Sequence, residues 1–136
     1  MKKILIVSLL FSTMLFAKFN HLDDKQVLQM VKKGVPIIDI RTPGEWKQYG
    51  IIKGAKLLTF FDENGRYDVR SWLQKFSKIV KDKNQPFILY CAHANRSKVV
   101  GNFLDKQLGY KNVNELKGGI IYGWIQKGRD TVKPTK

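Results

Sequence analysis

Apolar positions along the chain keep two rhythms, helical and extended, which take turns from residue 22 onward. Val27, Leu28 and Val31 share one helical face, and Gly34 closes that helix. Asp23 stands where an N-cap belongs, with Gln26 three residues on as its reciprocal partner and Leu22 and Val27 as the flanking staple. Lys18 to His21 reads as a lead-in. Val35-Pro36-Ile37-Ile38-Asp39-Ile40 is a near-continuous apolar run, the pattern of a strand covered on both faces. Thr42-Pro43-Gly44-Glu45 is turn chemistry leading into a short helix through Tyr49. Gly50 to Ala55 forms a loop, Lys56 to Phe60 the next strand, and Asp62 to Gly65 a turn. Val69, Trp72, Leu73, Phe76 and Val80 return to helical spacing as a core stripe. After a polar connection, Pro86 opens a short buried strand that runs to Cys91. From Ser97, Val99, Val100, Phe103, Leu104 and Leu108 line one helical face, ended by Gly109. Val113 and Leu116 mark a last strand, Gly118-Gly119 a loop, and Ile120 to Lys127 a helix carrying Trp124. The tail from Arg129 has no periodicity and reads as mobile. Strands alternating with helices predict an α/β fold with a parallel sheet covered on both faces. Ligands of such sheets lie beyond the carboxyl ends of the strands, where Arg41, Cys91 and Gly118-Gly119 all fall.

Composition narrows the reading. The 136 residues are 43% apolar, enough for one core, and carry a formal charge of +14. The lysines are scattered rather than gathered into a run interleaved with aromatics, so the expectation is a solvated basic surface and no nucleic-acid partner. Met1-Lys2-Lys3, the apolar stretch Ile4 to Phe16 and the small Ala17 form the three parts of a secretory signal. The expected organisation is a signal peptide over 1–17 and one domain over 18–136, periplasmic or secreted, with no membrane contact after cleavage. The apolar stretch is shorter than the ~20 residues a spanning helix needs, with an uncleaved anchor as the alternative.

Export places Cys91, the single cysteine, in an oxidising compartment where it has no intrachain disulfide partner. It stands where strand becomes loop. A loop feeding a helix aims backbone N–H groups and the positive helix end at one spot, and a thiol held there ionises more easily. The alternative is a buried inert thiol. Asp39 inside an apolar run needs a partner, and Arg41 is the nearest; a salt-bridged brace at the strand end is the preferred reading.

The residues in this order resemble the single-domain rhodaneses, a sulfurtransferase family. The resemblance runs over most of the mature chain. It is carried by Ile38-Asp39-Ile40-Arg41 with Glu45 following, by Gly50 to Ala55, by Cys91 with Arg96-Ser97 closing the loop, and by Leu116-Lys117-Gly118-Gly119 with Trp124. It implies a central parallel sheet of about five strands. It also implies that Cys91 takes a sulfane sulfur from a donor such as thiosulfate and passes it to a thiophilic acceptor, cyanide or a thiol.

Ala92, His93, Ala94, Asn95, Arg96 and Ser97 then form the substrate loop. Its amides offset the charge of an anionic donor, and Arg96 holds the donor's sulfonate-like part, with no metal or cofactor required. Asp39, Arg41 and Glu45 are its structural support. Two positions depart from the family. Ala94 stands where glycine is frequent, which strains a positive φ, and Ile51 replaces a histidine outside the nucleophile. His93 is read as a solvent-facing specificity element, with support of the ionised thiol as the alternative. Two other functions stay open. One is a non-catalytic sulfur-carrier or binding module of the same fold. The other is a cysteine phosphatase or arsenate reductase, although the four residues between Cys91 and Arg96 are one fewer than a phosphatase loop has. Oligomeric state is not written in the sequence.

Overall fold

In the computed structural model, which describes residues 19–135, five strands form one sheet whose paired neighbours all run parallel, in the order β1-β5-β4-β2-β3. The strands are β1 (Asn20–Leu22), β2 (Ile37–Asp39), β3 (Lys56–Leu57), β4 (Phe87–Tyr90) and β5 (Val113–Leu116). Between them run helices α1 (Asp24–Lys32), α2 (Pro43–Tyr49), α3 (Val69–Ile79) and α4 (Asn95–Asn102), and α5 (Gly119–Gly123) follows β5. The expected signal segment lies outside the described residues.

Successive residues of a strand point to opposite faces, and the two central strands are apolar on both. Ile38, Phe87 and Leu89 meet Trp72 and Phe76 of α3 and Val100 of α4, with Leu104 just beyond, on one face. Ile37, Ile88 and Tyr90 meet Val27 of α1 and Ile120 of α5, with Trp124, on the other. Each fully buried Ile, Leu or Phe contributes roughly 1.5–3 kcal/mol, so these two layers hold the sheet between the helices. The capping box at Asp23 and Gln26 is formed as expected, and a second joins Thr42 to Glu45 at the start of α2.

Five expectations are corrected. The lead-in is in part a strand: β1 pairs with β5 in the register His21 to Glu115. Three residues are too few to show alternation, so only the partner strand reveals it. The strand expected over 56–60 is cut to β3, because from Leu58 the backbone follows β2 beyond Asp39 without continuing the ladder. The helix after Cys91 starts two residues early, at Asn95, and its last turn over Phe103–Gln107 is π-helical. The tail is pinned rather than mobile as far as Val132. Arg129 pairs with Asp24, the Thr131 hydroxyl donates to the Tyr49 carbonyl, and Val132 and Ile51 exchange backbone hydrogen bonds. A tail held through its backbone needs no hydrophobic period, which is why the pattern missed it. The helix expected over 120–127 also breaks at Trp124, where φ is −136° and ψ −68°, and ends as a single 3-10 turn.

Candidate active site

Cys91 follows the last residue of β4, at the centre of the sheet and at the carboxyl edge of the strands. The chain then turns through Ala92, His93 and Ala94 into α4. Ala94 takes φ +70°, the left-handed conformation, and has no side chain able to cap the helix. The Ser97 N–H, in the first turn of α4, donates to Cys91 Sγ at 3.3 Å. The Cys91 thiol and the Ser97 hydroxyl lie 3.5 Å apart. Among the described residues, the loop amide within hydrogen-bond distance of the sulfur is therefore that of Ser97. Cys91 is 1% exposed, and its inner side packs in the same layer as Ile40, Phe60 and Val100.

The loop after β5 closes over the back of this turn. Ile120 and Ile121 donate their N–H groups to the carbonyls of Cys91 and Ala92 at 2.9 and 3.0 Å. Gly119 takes φ +66°, and a β-carbon there would overlap those same carbonyls. Glycine at 119 is required twice over, by conformation and by space. Arg41 comes from the end of β2 and is fully buried. Its Nε and Nη2 donate to both oxygens of Asp39, Nη2 also reaches the Gly50 carbonyl at 2.8 Å, and the guanidinium lies 5.6 Å from the centre of the Tyr90 ring. Burial opposes the charge of Arg41, and Asp39 more than restores it, so the guanidinium holds its proton above the ordinary arginine value. The pair sits under the loop rather than within it.

Arg96 is placed differently from the sequence expectation. Its two terminal nitrogens donate to the two oxygens of Glu45, each at 2.7 Å. The guanidinium expected to hold a donor's sulfonate thus faces a carboxylate of its own chain. Glu45 also accepts from the Thr42 N–H and hydroxyl, so it belongs both to the cap of α2 and to the clamp on α4. Burial pushes the Glu45 carboxyl up, but Arg96 and then Thr42 carry it below the usual carboxylate range. His93 is exposed and packs on Tyr122, with ring centres 4.8 Å apart, and Asn95 is also exposed. Thr42, Glu45, Asn95, Arg96 and Val99 line an open surface cleft beside the loop, shared with Phe61 and the 62–65 turn.

Sequence reasoning passed over Glu115. It is fully buried in β5, on the α4 side of the sheet, and its Oε2 accepts from the Ser97 hydroxyl at 2.7 Å. The segment Val113-Asn114-Glu115-Leu116 carries no local sign of this. A buried carboxylate is recognised only by its partners, and these come from 18 and 94 residues away. Among the described residues, no cluster of three or more metal-ligating side chains is present.

Comparison with known proteins agrees with this geometry. The rhodanese-like domain model matches residues 23–127. A thiosulfate sulfurtransferase, GlpE, from Pseudoalteromonas translucida is 28% identical over 103 residues, covering 75% of this chain and 86% of its own. A tRNA uridine(34) hydroxylase from Protochlamydia amoebophila is 26% identical over 114 residues, 82% of this chain, and the chain spans 33% of that protein's length. Among solved structures, a rhodanese-related protein from Thermoplasma volcanium superposes with a TM-score of 0.60 at 25% identity, covering 84% of this chain and 98% of that one. A polysulfide-sulfur transferase homodimer from Wolinella succinogenes shares the fold, with a TM-score of 0.64 at 21% identity over 89% of this chain and 83% of its own. With a cysteine at the end of the central strand, an amide of the following helix on its sulfur, and a family model over most of its length, the chain belongs to the rhodanese-like domain family.

Proposed function

We propose that the protein is a sulfurtransferase that moves a sulfane sulfur from a thiosulfate-like donor, through a persulfide on Cys91, to cyanide or a thiol. The observation that carries this reading is the Cys91 sulfur at the mouth of α4, receiving the Ser97 N–H. An amide donor there stabilises negative charge on the sulfur before and after transfer. In the first half-reaction the Cys91 thiolate attacks the outer sulfur of the donor. A sulfur–sulfur bond to Cys91 forms, the donor's own sulfur–sulfur bond breaks, and sulfite leaves with the electron pair. In the second, the acceptor's lone pair attacks the outer persulfide sulfur and the Cys91 thiolate is restored. Neither half needs an external oxidant.

The 1% exposure of Cys91 favours a small donor over a bulky one. The Glu45–Arg96 pair opens onto the neighbouring cleft, where an anionic donor competes with Glu45 for the guanidinium. From the signal-like sequence of residues 1–17, we also propose that the protein is periplasmic or secreted, with cleavage after Ala17; N-terminal sequencing of the exported form tests that part.

A thiosulfate:cyanide assay on wild type and Cys91→Ser decides the activity. Thiocyanate formation that disappears in the serine variant supports the enzyme. A stable added sulfur on Cys91 by mass spectrometry, with no turnover, makes it a sulfur carrier instead. Phosphate release from an aryl phosphate makes it a phosphatase.

A further inference from the structure

Among the described residues two carboxylates are fully buried, Asp39 and Glu115. Asp39 is matched by a buried guanidinium. Glu115 has different company. Its Oε1 lies 2.6 Å from Nδ1 of His21 and 3.3 Å from the ammonium of Lys98, and its Oε2 takes the Ser97 hydroxyl proton at 2.7 Å. His21 and Lys98 are 44% and 52% exposed, so this end of the group touches solvent. The other end is Cys91, one hydroxyl further in. The line Cys91, Ser97, Glu115, then His21 and Lys98 runs from the residue after β4 through α4 and β5 to β1, with α4 supplying both Ser97 and Lys98.

Ser97 has one hydroxyl proton and three acceptors near it: Glu115 Oε2 at 2.7 Å, the Ala94 carbonyl at 3.2 Å and Cys91 Sγ at 3.5 Å. A hydrogen bond to an ionised carboxylate is the shorter and stronger one. While Glu115 is charged, the Ser97 proton therefore points away from the sulfur, and Oγ turns a lone pair toward Sγ. The hydroxyl so turned receives an S–H donor and gives no hydrogen bond of its own to a thiolate, which leaves the Ser97 N–H as the donor to the sulfur. The carboxylate's charge, one hydroxyl away, adds like-charge repulsion against a second negative group. His21, when protonated, and Lys98 reduce that repulsion.

We infer that Glu115 is a positioning residue that restrains Cys91 in its thiol form through Ser97, and that His21 and Lys98 set the strength of the restraint from the solvent side. Its bearing on turnover rests on the sulfurtransferase reading; its bearing on thiol chemistry does not. Ionisation here involves no redox step. The S–H bond breaks, the proton goes to water, and the Ser97 hydroxyl turns from Oε2 to the sulfur.

The test uses the mature chain and two readouts at neutral pH: the ultraviolet absorbance of the thiolate, and the rate of alkylation by iodoacetamide, with Cys91→Ser as the blank. Glu115→Gln is expected to raise both about tenfold, the order of one compensated charge at this separation. Lys98→Met and His21→Gln are expected to lower both severalfold, because they leave the carboxylate's charge less answered. Equal reactivity across all variants overturns the inference, as does a lower melting temperature of Glu115→Gln with no rise in reactivity, which marks a merely structural role. Should Glu115→Gln fail to fold, the two surface variants decide, and unchanged rates in both overturn the inference. Thiosulfate turnover is measured separately. Reactivity that moves as expected without sulfur transfer sinks the enzyme reading alone, and transfer by variants whose reactivity does not move sinks this inference alone.

Discussion

A single alanine holds the turn on which the sulfur sits. Ala94 takes φ +70°, and an L-residue there is strained by about 1–2 kcal/mol. Replacing it by glycine removes that strain but loosens the unfolded chain by about 0.4–1 kcal/mol. Ala94→Gly is therefore expected to leave stability unchanged or raise it by up to about 1 kcal/mol in urea denaturation, while the β-branched Ala94→Val loses about 2 kcal/mol or more. A large loss with glycine sinks this account. The fully buried Arg41 behaves in the opposite way. Arg41→Ala leaves buried Asp39 without its guanidinium and with the residue-41 N–H still donating to it, a loss of about 3–5 kcal/mol, so melting temperature and activity are expected to fall together. Lost activity at unchanged stability assigns Arg41 to the substrate instead. The Asp39–Arg41 pair was legible in the sequence because a carboxylate inside an apolar run demands a neighbour, and its neighbour was two residues away. Glu115 makes the same demand, yet its partners belong to other elements, so nothing local disclosed it.

Between elements, the Glu45–Arg96 pair ties α2 to α4 and so fixes the start of the helix that carries Ser97. Both side chains are about a quarter exposed, which sets the pair near 1 kcal/mol. The Glu45 carboxyl is pushed up by burial and carried lower still by Arg96, so its folded value lies below its unfolded one. The folded state then binds fewer protons than the unfolded chain in acid. The contribution is fully present above the ordinary glutamate range, near pH ~4.3, and is lost as pH falls below that through the folded value. Glu45→Gln, which can keep the α2 cap, is expected to be about 1 kcal/mol less stable at pH 7, with the gap closing in acid; a gap that persists at low pH refutes the assignment. The long elements were readable because α1 and α3 bury one stripe and β2 and β4 bury both faces. What escaped was set by tertiary pairing: β1 by its ladder to β5, the early start of α4 by the left-handed Ala94, and the tail by backbone bonds to Ile51. Deleting residues 131–136 is therefore expected to lower stability by about 1–2 kcal/mol, through loss of two backbone hydrogen bonds and the Thr131 contact.

Over the whole molecule, topology decides where the chemistry is and charge decides what reaches it. The alternation of strands and helices already required a parallel sheet with its ligand edge at the strand carboxyl ends; the strand order then puts β4, and with it Cys91, in the middle of that edge. The chain carries a formal +14, so under the proposed function an anionic donor meets a positive field before it meets the loop. Such a field is felt over the screening length, which shrinks from about 30 Å at ~0.01 M salt to a few ångströms at ~1 M. The rate constant for sulfur uptake from thiosulfate at low donor concentration is therefore expected to fall severalfold across that range, while alkylation of Cys91 by neutral iodoacetamide changes little. The contrast separates long-range attraction from any effect of salt on the fold, since a loosened loop alters both reactions together. Equal salt responses for the dianion and the neutral reagent show that the basic surface has no part in donor capture, and shift the proposed electrostatic support to groups at the loop such as the Ser97 amide and Arg96.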